Sequence, residues 1–127
     1  MPHHPSSAAL VRRQLISDLT TSGCRTEFAD DAAVVASELV GNAVRHARPL
    51  PGGELAVSWR TAPDGLEIRV IDGGSPQAPM LRRMPPESVN GRGLVIVSTL
   101  AAQWGVAPDT RGRCVWAWLG HLSRVAS

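Results

Sequence analysis

The sequence predicts an α+β fold, a two-layer sandwich with about three helices covering one face of a mixed, mainly antiparallel sheet. Three observations predict it. Two early segments repeat apolar residues at helical spacing, and two later pairs of short segments carry strand patterns joined by turn signals. A further apolar segment of helical length separates those hairpins.

The elements follow in order. Met1 to Ser6 holds two prolines and two histidines and is expected to fray; His3 and His4 could bind metal, but a frayed end is the reading preferred. From about Ser7 to Thr21, A-A-L-V-R-R-Q-L-I-S-D-L has helical periodicity, with Gly23 as its stop. A second helix is expected from about Ala29 to Ala47, with Asp30 and Asp31 favourable in its first turn and Pro49 ending it. Glu54 to Arg60 and Leu66 to Asp72 alternate as strands around the turn Pro63-Asp64-Gly65. Gly73 to Gly91, rich in proline and glycine, reads as a long loop. Leu94 to Ala102 reads as a third helix. Trp104 to Ala107 and Cys114 to Leu119 form a second hairpin across P-D-T-R-G. The expected organisation is thus one domain over residues 7–121 between flexible ends at 1–6 and 122–127.

The whole chain limits its function classes. With 127 residues, 43% of them apolar, it can bury a core. A net charge of +2 with scattered arginines does not suggest nucleic-acid binding. No apolar run approaches the ~20 residues of a membrane span, and the start lacks the pattern of a secretory signal. Cys24 and Cys114 are too few for a disulfide framework and suit a reducing compartment, so a cytoplasmic location is expected. Trp59, Trp116 and Trp118 fall in strand patterns and are expected to pack; Trp116 and Trp118 share a face.

Three motifs carry chemistry. On the second helix, within E-L-V-G-N-A-V-R-H-A, Asp31, Glu38, Asn42 and Arg45 share a narrow stripe opposite a broad apolar arc. That stripe is either a solvated face or a wall holding hard oxygen donors, of the kind Mg²⁺ accepts. His46 lies at the arc's edge and reads as half-buried and structural. In V-I-D-G-G-S-P a strand runs into Asp72 beside Gly73 and Gly74. This is an ordinary Asp-Gly turn, or a fixed carboxylate beside bare backbone. In N-G-R-G-L-V-I-V, Gly91 and Gly93 precede a helix whose amino-terminal amides suit phosphate; a flexible hinge is the alternative.

Taken together and in this order, the motifs resemble the GHKL ATPase superfamily with its Bergerat fold. They are closest to the small bacterial anti-sigma-factor serine/threonine kinases, over about Ser7 to Leu119. The resemblance implies ATP and Mg²⁺ as cofactors. It implies that Glu38 is the general base for an incoming hydroxyl and that Asn42 holds Mg²⁺ against the phosphates. Asp72 would accept from the adenine amino group, and Gly74 would let the base approach. Gly73 to Asn90 would form a lid, Gly91, Arg92, Gly93 and Leu94 would offer phosphate-facing amides, and Arg45 would add charge near phosphate or partner. The implied acceptor is an anti-anti-sigma protein with a STAS domain, which displaces a sigma factor from the kinase until it is phosphorylated.

Three departures from the family pattern stand out. Pro76 replaces a glycine, the lid carries Leu81-Arg82-Arg83-Met84-Pro85-Pro86, and the late strand reads Gly112-Arg113-Cys114 where relatives commonly have Gly-Thr. Cys114 is expected to pack in the core. The family's first strand is short or absent here, in a region relatives use for dimer or partner contacts, which leaves a homodimer open. A non-catalytic module that acts by sequestering its partner is the alternative to an active kinase. A histidine-kinase catalytic domain is a third reading, without a phosphoacceptor helix preceding it.

Overall fold

The computed structural model describes residues 1–74 and 91–120, with backbone alone at 91–94. In chain order the elements are α1 (Ser6–Thr21), α2 (Thr26–His46), β1 (Ala56–Ala62), β2 (Gly65–Asp72), α3 (Gly91–Leu100), β3 (Gln103–Asp109) and β4 (Gly112–Gly120). The described strands form one sheet in the order β1-β2-β4-β3, each neighbouring pair antiparallel. The expected α+β sandwich is the architecture observed, with α2 packed on β2 and β4 and flanked by α1 and α3.

Packing explains each helix. In α1, Val11, Leu15 and Leu19 recur every fourth residue and are all fully buried. Gly23, at φ +89, supplies the left-handed turn after it. Helix α2 begins a turn sooner than its periodicity suggests, because the Ala29 amide already donates to Arg25 O at 3.0 Å. Its alanines (Ala29, Ala32, Ala33, Ala36 and Ala43) let neighbours approach closely from several sides, and all are buried. Helix α3 also starts early, at Gly91, and ends at Leu100. Packing on α2 outweighs the roughly 1 kcal/mol that each glycine costs against alanine. The chain then leaves α3 because the Ala102 amide donates to Trp118 O of the sheet at 2.8 Å.

The strands bury alternate residues, as their pattern predicts. Leu66, Ile68 and Val70 of β2 and Val115, Ala117 and Leu119 of β4 face the helices and form the core with α1 and α2. Continuing that alternation places Asp72 and Arg113 on the same face at one end of the sheet, paired in register. On the outer face, Trp116 lies across Gly105 and Trp118 across Gly65. A Cβ at Gly105 would stand 2.9 Å from the Trp116 ring, so glycine there serves packing. Trp59 packs at the edge of the core and donates to Asp18 Oδ2 at 2.6 Å. Cys114 does not join the main core; it is buried in a small outer cluster with Leu50 and Ile71, and Arg69 Nε reaches its Sγ at 3.4 Å.

The opening residues depart from expectation. Instead of fraying, Met1 O accepts from the Leu55 amide at 2.6 Å, and the His3 amide donates to Gly53 O at 2.8 Å. Pro2 and Glu54 form an antiparallel bridge, a remnant of the strand that seemed missing. β1 itself starts at Ala56, paired with Ile71 near the end of β2, and not at Glu54. Among the described residues His3 belongs to no group of His, Cys, Asp or Glu side chains that could hold a metal ion. Its Nε2 lies 3.1 Å from Ala43 O and 2.9 Å from Ala47 O, so it carries a proton and caps the last turn of α2. We expect His3→Ala to lower stability by about 1 kcal/mol, read as a fall of a few degrees in the melting midpoint. Residues 122–127 lie outside the described residues.

Candidate functional site

The site grows from the last two turns of α2. Three neighbours surround this helix, and they divide the polar stripe that the helical wheel drew as one face. Asp31 and Arg45 are exposed and Glu38 is half-buried, whereas Asn42 is only 3% exposed. A surface stripe is therefore the wrong description of Asn42. Among the described residues neither its Oδ1 nor its Nδ2 has a hydrogen-bond partner. A buried amide without partners costs about 1–3 kcal/mol, which makes it a marked feature of a folded chain.

Glu38, one turn earlier, opens into a groove of about 380 Å³ between α1 and α2. Arg12, Ser37, Gly41 and Arg45 share its lining, and Arg12 Nη2 donates to Ser37 Oγ at 3.1 Å. Arg45 folds back over Gly41; a Cβ at Gly41 would stand 3.1 Å from Arg45 Nη1. The groove thus combines a carboxylate with two guanidinium groups. His46 is half-buried, as its place on the helix predicts.

Asp72 ends β2 and is fully buried. The Gly74 amide donates to its Oδ1 at 2.8 Å, fixing the carboxylate by an Asx-type turn. Gly74 sits at φ +88, a conformation that favours glycine, and among the described residues nothing would touch a Cβ there. The turn is pinned to the end of α2 by two bonds: Gly73 N to Arg48 O at 2.7 Å and Arg48 N to Gly74 O at 2.9 Å. Glycine is needed at Gly73 because a Cβ would meet the carbonyls of Arg48 and Pro49. The Asp-Gly turn is therefore held against the residues that follow α2.

What the sequence reading missed is Arg113. Its Nε donates to both Asp72 oxygens at 3.0 Å, and Arg113 is itself only 3% exposed. Among the described residues its Nη1 and Nη2 are buried with no hydrogen-bond partner. A signal existed: Arg113 continues the inward alternation of Val115, Ala117 and Leu119, so a cation had to face the core. Its partner could not be read, because β2 and β4 pair without a hairpin between them.

The glycine motif occupies the first turn of α3 and does not precede the helix. Gly91, Arg92, Gly93 and Leu94 are helical, at the end where amides lack intrahelical acceptors. The side chains of Arg92 and Leu94 and the lid from residue 75 to 90 lie outside the described residues. Among the described residues no group of three His, Cys, Asp or Glu side chains could hold a metal ion. Asn42 Oδ1, a hard oxygen without a hydrogen-bond partner among the described residues, fits a divalent cation that takes its remaining ligands from phosphate and water.

Comparison with known proteins agrees with this fold. The histidine kinase-like ATPase domain family matches residues 1–118. The serine-protein kinase RsbW of Listeria innocua is 32% identical over 76 residues, covering 59% of this chain and 48% of that protein. RsbW of Listeria monocytogenes matches to the same extent. The chain thus spans about half the length of the curated relatives it matches. Among solved structures, the histidine kinase domain of the Erythrobacter litoralis EL346 blue-light activated histidine kinase superposes with a TM-score of 0.52 at 20% identity. It covers 76% of this chain and 46% of that one, a likeness of fold. With nearly its whole length matched, the chain belongs to the histidine kinase-like ATPase domain family.

Proposed function

We propose that this chain is an ATP-dependent serine/threonine protein kinase of the anti-sigma type, acting on an anti-anti-sigma protein with a STAS domain. The observation that carries the reading is Asn42: a buried amide with neither atom partnered among the described residues, one helical turn from the half-buried Glu38. The names of the similar Listeria proteins supply the reaction class.

In this reading Asp72, held by Gly74 N, lies at the base end of the nucleotide, and Gly74 leaves room for close approach. The first-turn amides of α3 face the phosphates. Asn42 would hold Mg²⁺, which neutralises charge on the transferring phosphoryl group when bound. Glu38 orients the acceptor hydroxyl and takes its proton. Arg12 and Arg45 beside it give the groove positive charge for an incoming acceptor segment or phosphate. Little covalent chemistry is asked of the protein, so position and field do most of the work. The unphosphorylated acceptor would release a sigma factor from the chain, and its phosphorylation would reverse that exchange.

The test is phosphate transfer from labelled nucleotide to STAS-domain proteins encoded by the same organism. One of them should become labelled on serine or threonine, in a reaction that needs divalent metal. A second reading, a binding module without transfer activity, is favoured by the Asp72–Arg113 ion pair, which occupies a carboxylate the kinase reading assigns to the base. Nucleotide binding without transfer to any STAS-domain protein would select it.

A further inference from the structure

The ion pair changes what the base end of the site offers a ligand. Asp72 Oδ1 already accepts from Gly74 N and Arg113 Nε, and Oδ2 accepts from Arg113 Nε. Little acceptor capacity is left on the carboxylate. Arg113 in turn ends in two nitrogens, each with two N–H donors, buried and without partners among the described residues. The unsatisfied groups at this end are therefore mainly donors arranged as a planar fork.

A fork of guanidinium donors is complementary to two adjacent acceptors. The O6 and N7 atoms of a 6-oxopurine provide that pair, whereas adenine sets a donating amino group beside N7. We propose that Arg113 is a specificity-determining residue that turns the base preference of this site from adenine toward 6-oxopurine nucleotides, guanosine or inosine triphosphate. Arg113 makes the selection through Nη1 and Nη2, and Asp72 acts as its positioning residue, holding Nε. The single lone pair left on Asp72 Oδ2 suits the N1–H of the same base. This inference rests on the nucleotide-site reading above and replaces its adenine nucleotide with a 6-oxopurine one, leaving the roles of Asn42 and Glu38 as stated.

The experiment is calorimetric titration of the full chain with Mg²⁺ and, separately, ATP, GTP and ITP. The wild type is expected to bind GTP and ITP about tenfold or more tighter than ATP. Arg113→Thr should lose that order and bind ATP at least as tightly as GTP. Arg113→Lys, which keeps the charge without the fork, should reduce the preference. ITP separates recognition of O6 from recognition of the guanine amino group, and equal binding of ITP and GTP supports the fork. Wild type that binds ATP as tightly as GTP overturns the inference while leaving the nucleotide site standing, and needs no variant to fold. Failure of all three nucleotides to bind overturns the site reading and the inference with it.

Discussion

Glu38→Ala is expected to bind nucleotide much as the wild type does and to transfer phosphate about 10²–10⁴-fold more slowly. The two effects separate because Glu38 lines the groove between α1 and α2, to which Asp72 does not contribute. A positioned base contributes to the transition state and little to the ground state, so the loss falls on the rate and not on affinity. The fold should tolerate the change, since Glu38 is only half-buried. Glu38→Gln refines the test: it keeps size and polarity but cannot take the proton. Equal loss in both variants assigns Glu38 the role of base. Near-normal transfer by Glu38→Gln would leave it only an orienting role, and unchanged transfer in both would remove it from the mechanism.

The second large effect concerns stability. Asp72→Ala leaves the Arg113 guanidinium buried with no compensating charge, and breaking a buried pair this way costs roughly 3–5 kcal/mol. For a chain of this length that corresponds to a drop of about 10 °C or more in the thermal midpoint. Arg113→Thr should cost less. The carboxylate it strands keeps the Gly74 N–H, whereas the guanidinium stranded by Asp72→Ala has no other hydrogen-bond partner among the described residues. The ordering, with Asp72→Ala less stable than Arg113→Thr, is the diagnostic result from thermal unfolding of the two variants. A double variant carrying both changes should recover part of the loss, because neither charge is then left alone. If all three melt together with the wild type, the ion pair carries no stability.

Much of this was legible from residues alone, for definable reasons. Helical spacing in α1 and α2 and the alternation of β2 and β4 are local signals, and both hairpins were found from their turns. The Asp72-Gly73-Gly74 turn was legible too, since its geometry is set by residues two positions apart. The rest depended on contacts distant in sequence. The burial of Asn42 follows from the way α1, α3 and the sheet close round α2, which no wheel of a single helix displays. The fastening of Met1 to His3 depends on a bridge to Glu54 and on carbonyls 40 and 44 residues away. Arg113 could be recognised as a departure from the Gly-Thr pattern, but its meaning needed the register that sets it opposite Asp72.

The central claim is that Asn42 sits at a metal-dependent nucleotide site. Titration of the full chain and of Asn42→Ala with ATP and GTP, each with and without Mg²⁺, tests it most directly. The wild type should bind at least one triphosphate, more tightly with Mg²⁺ than without. Asn42→Ala should bind more weakly and lose most of that dependence on the metal. An Asn42→Ala chain whose response to Mg²⁺ matches the wild type, or a wild type that binds neither triphosphate at millimolar concentration, would contradict the account.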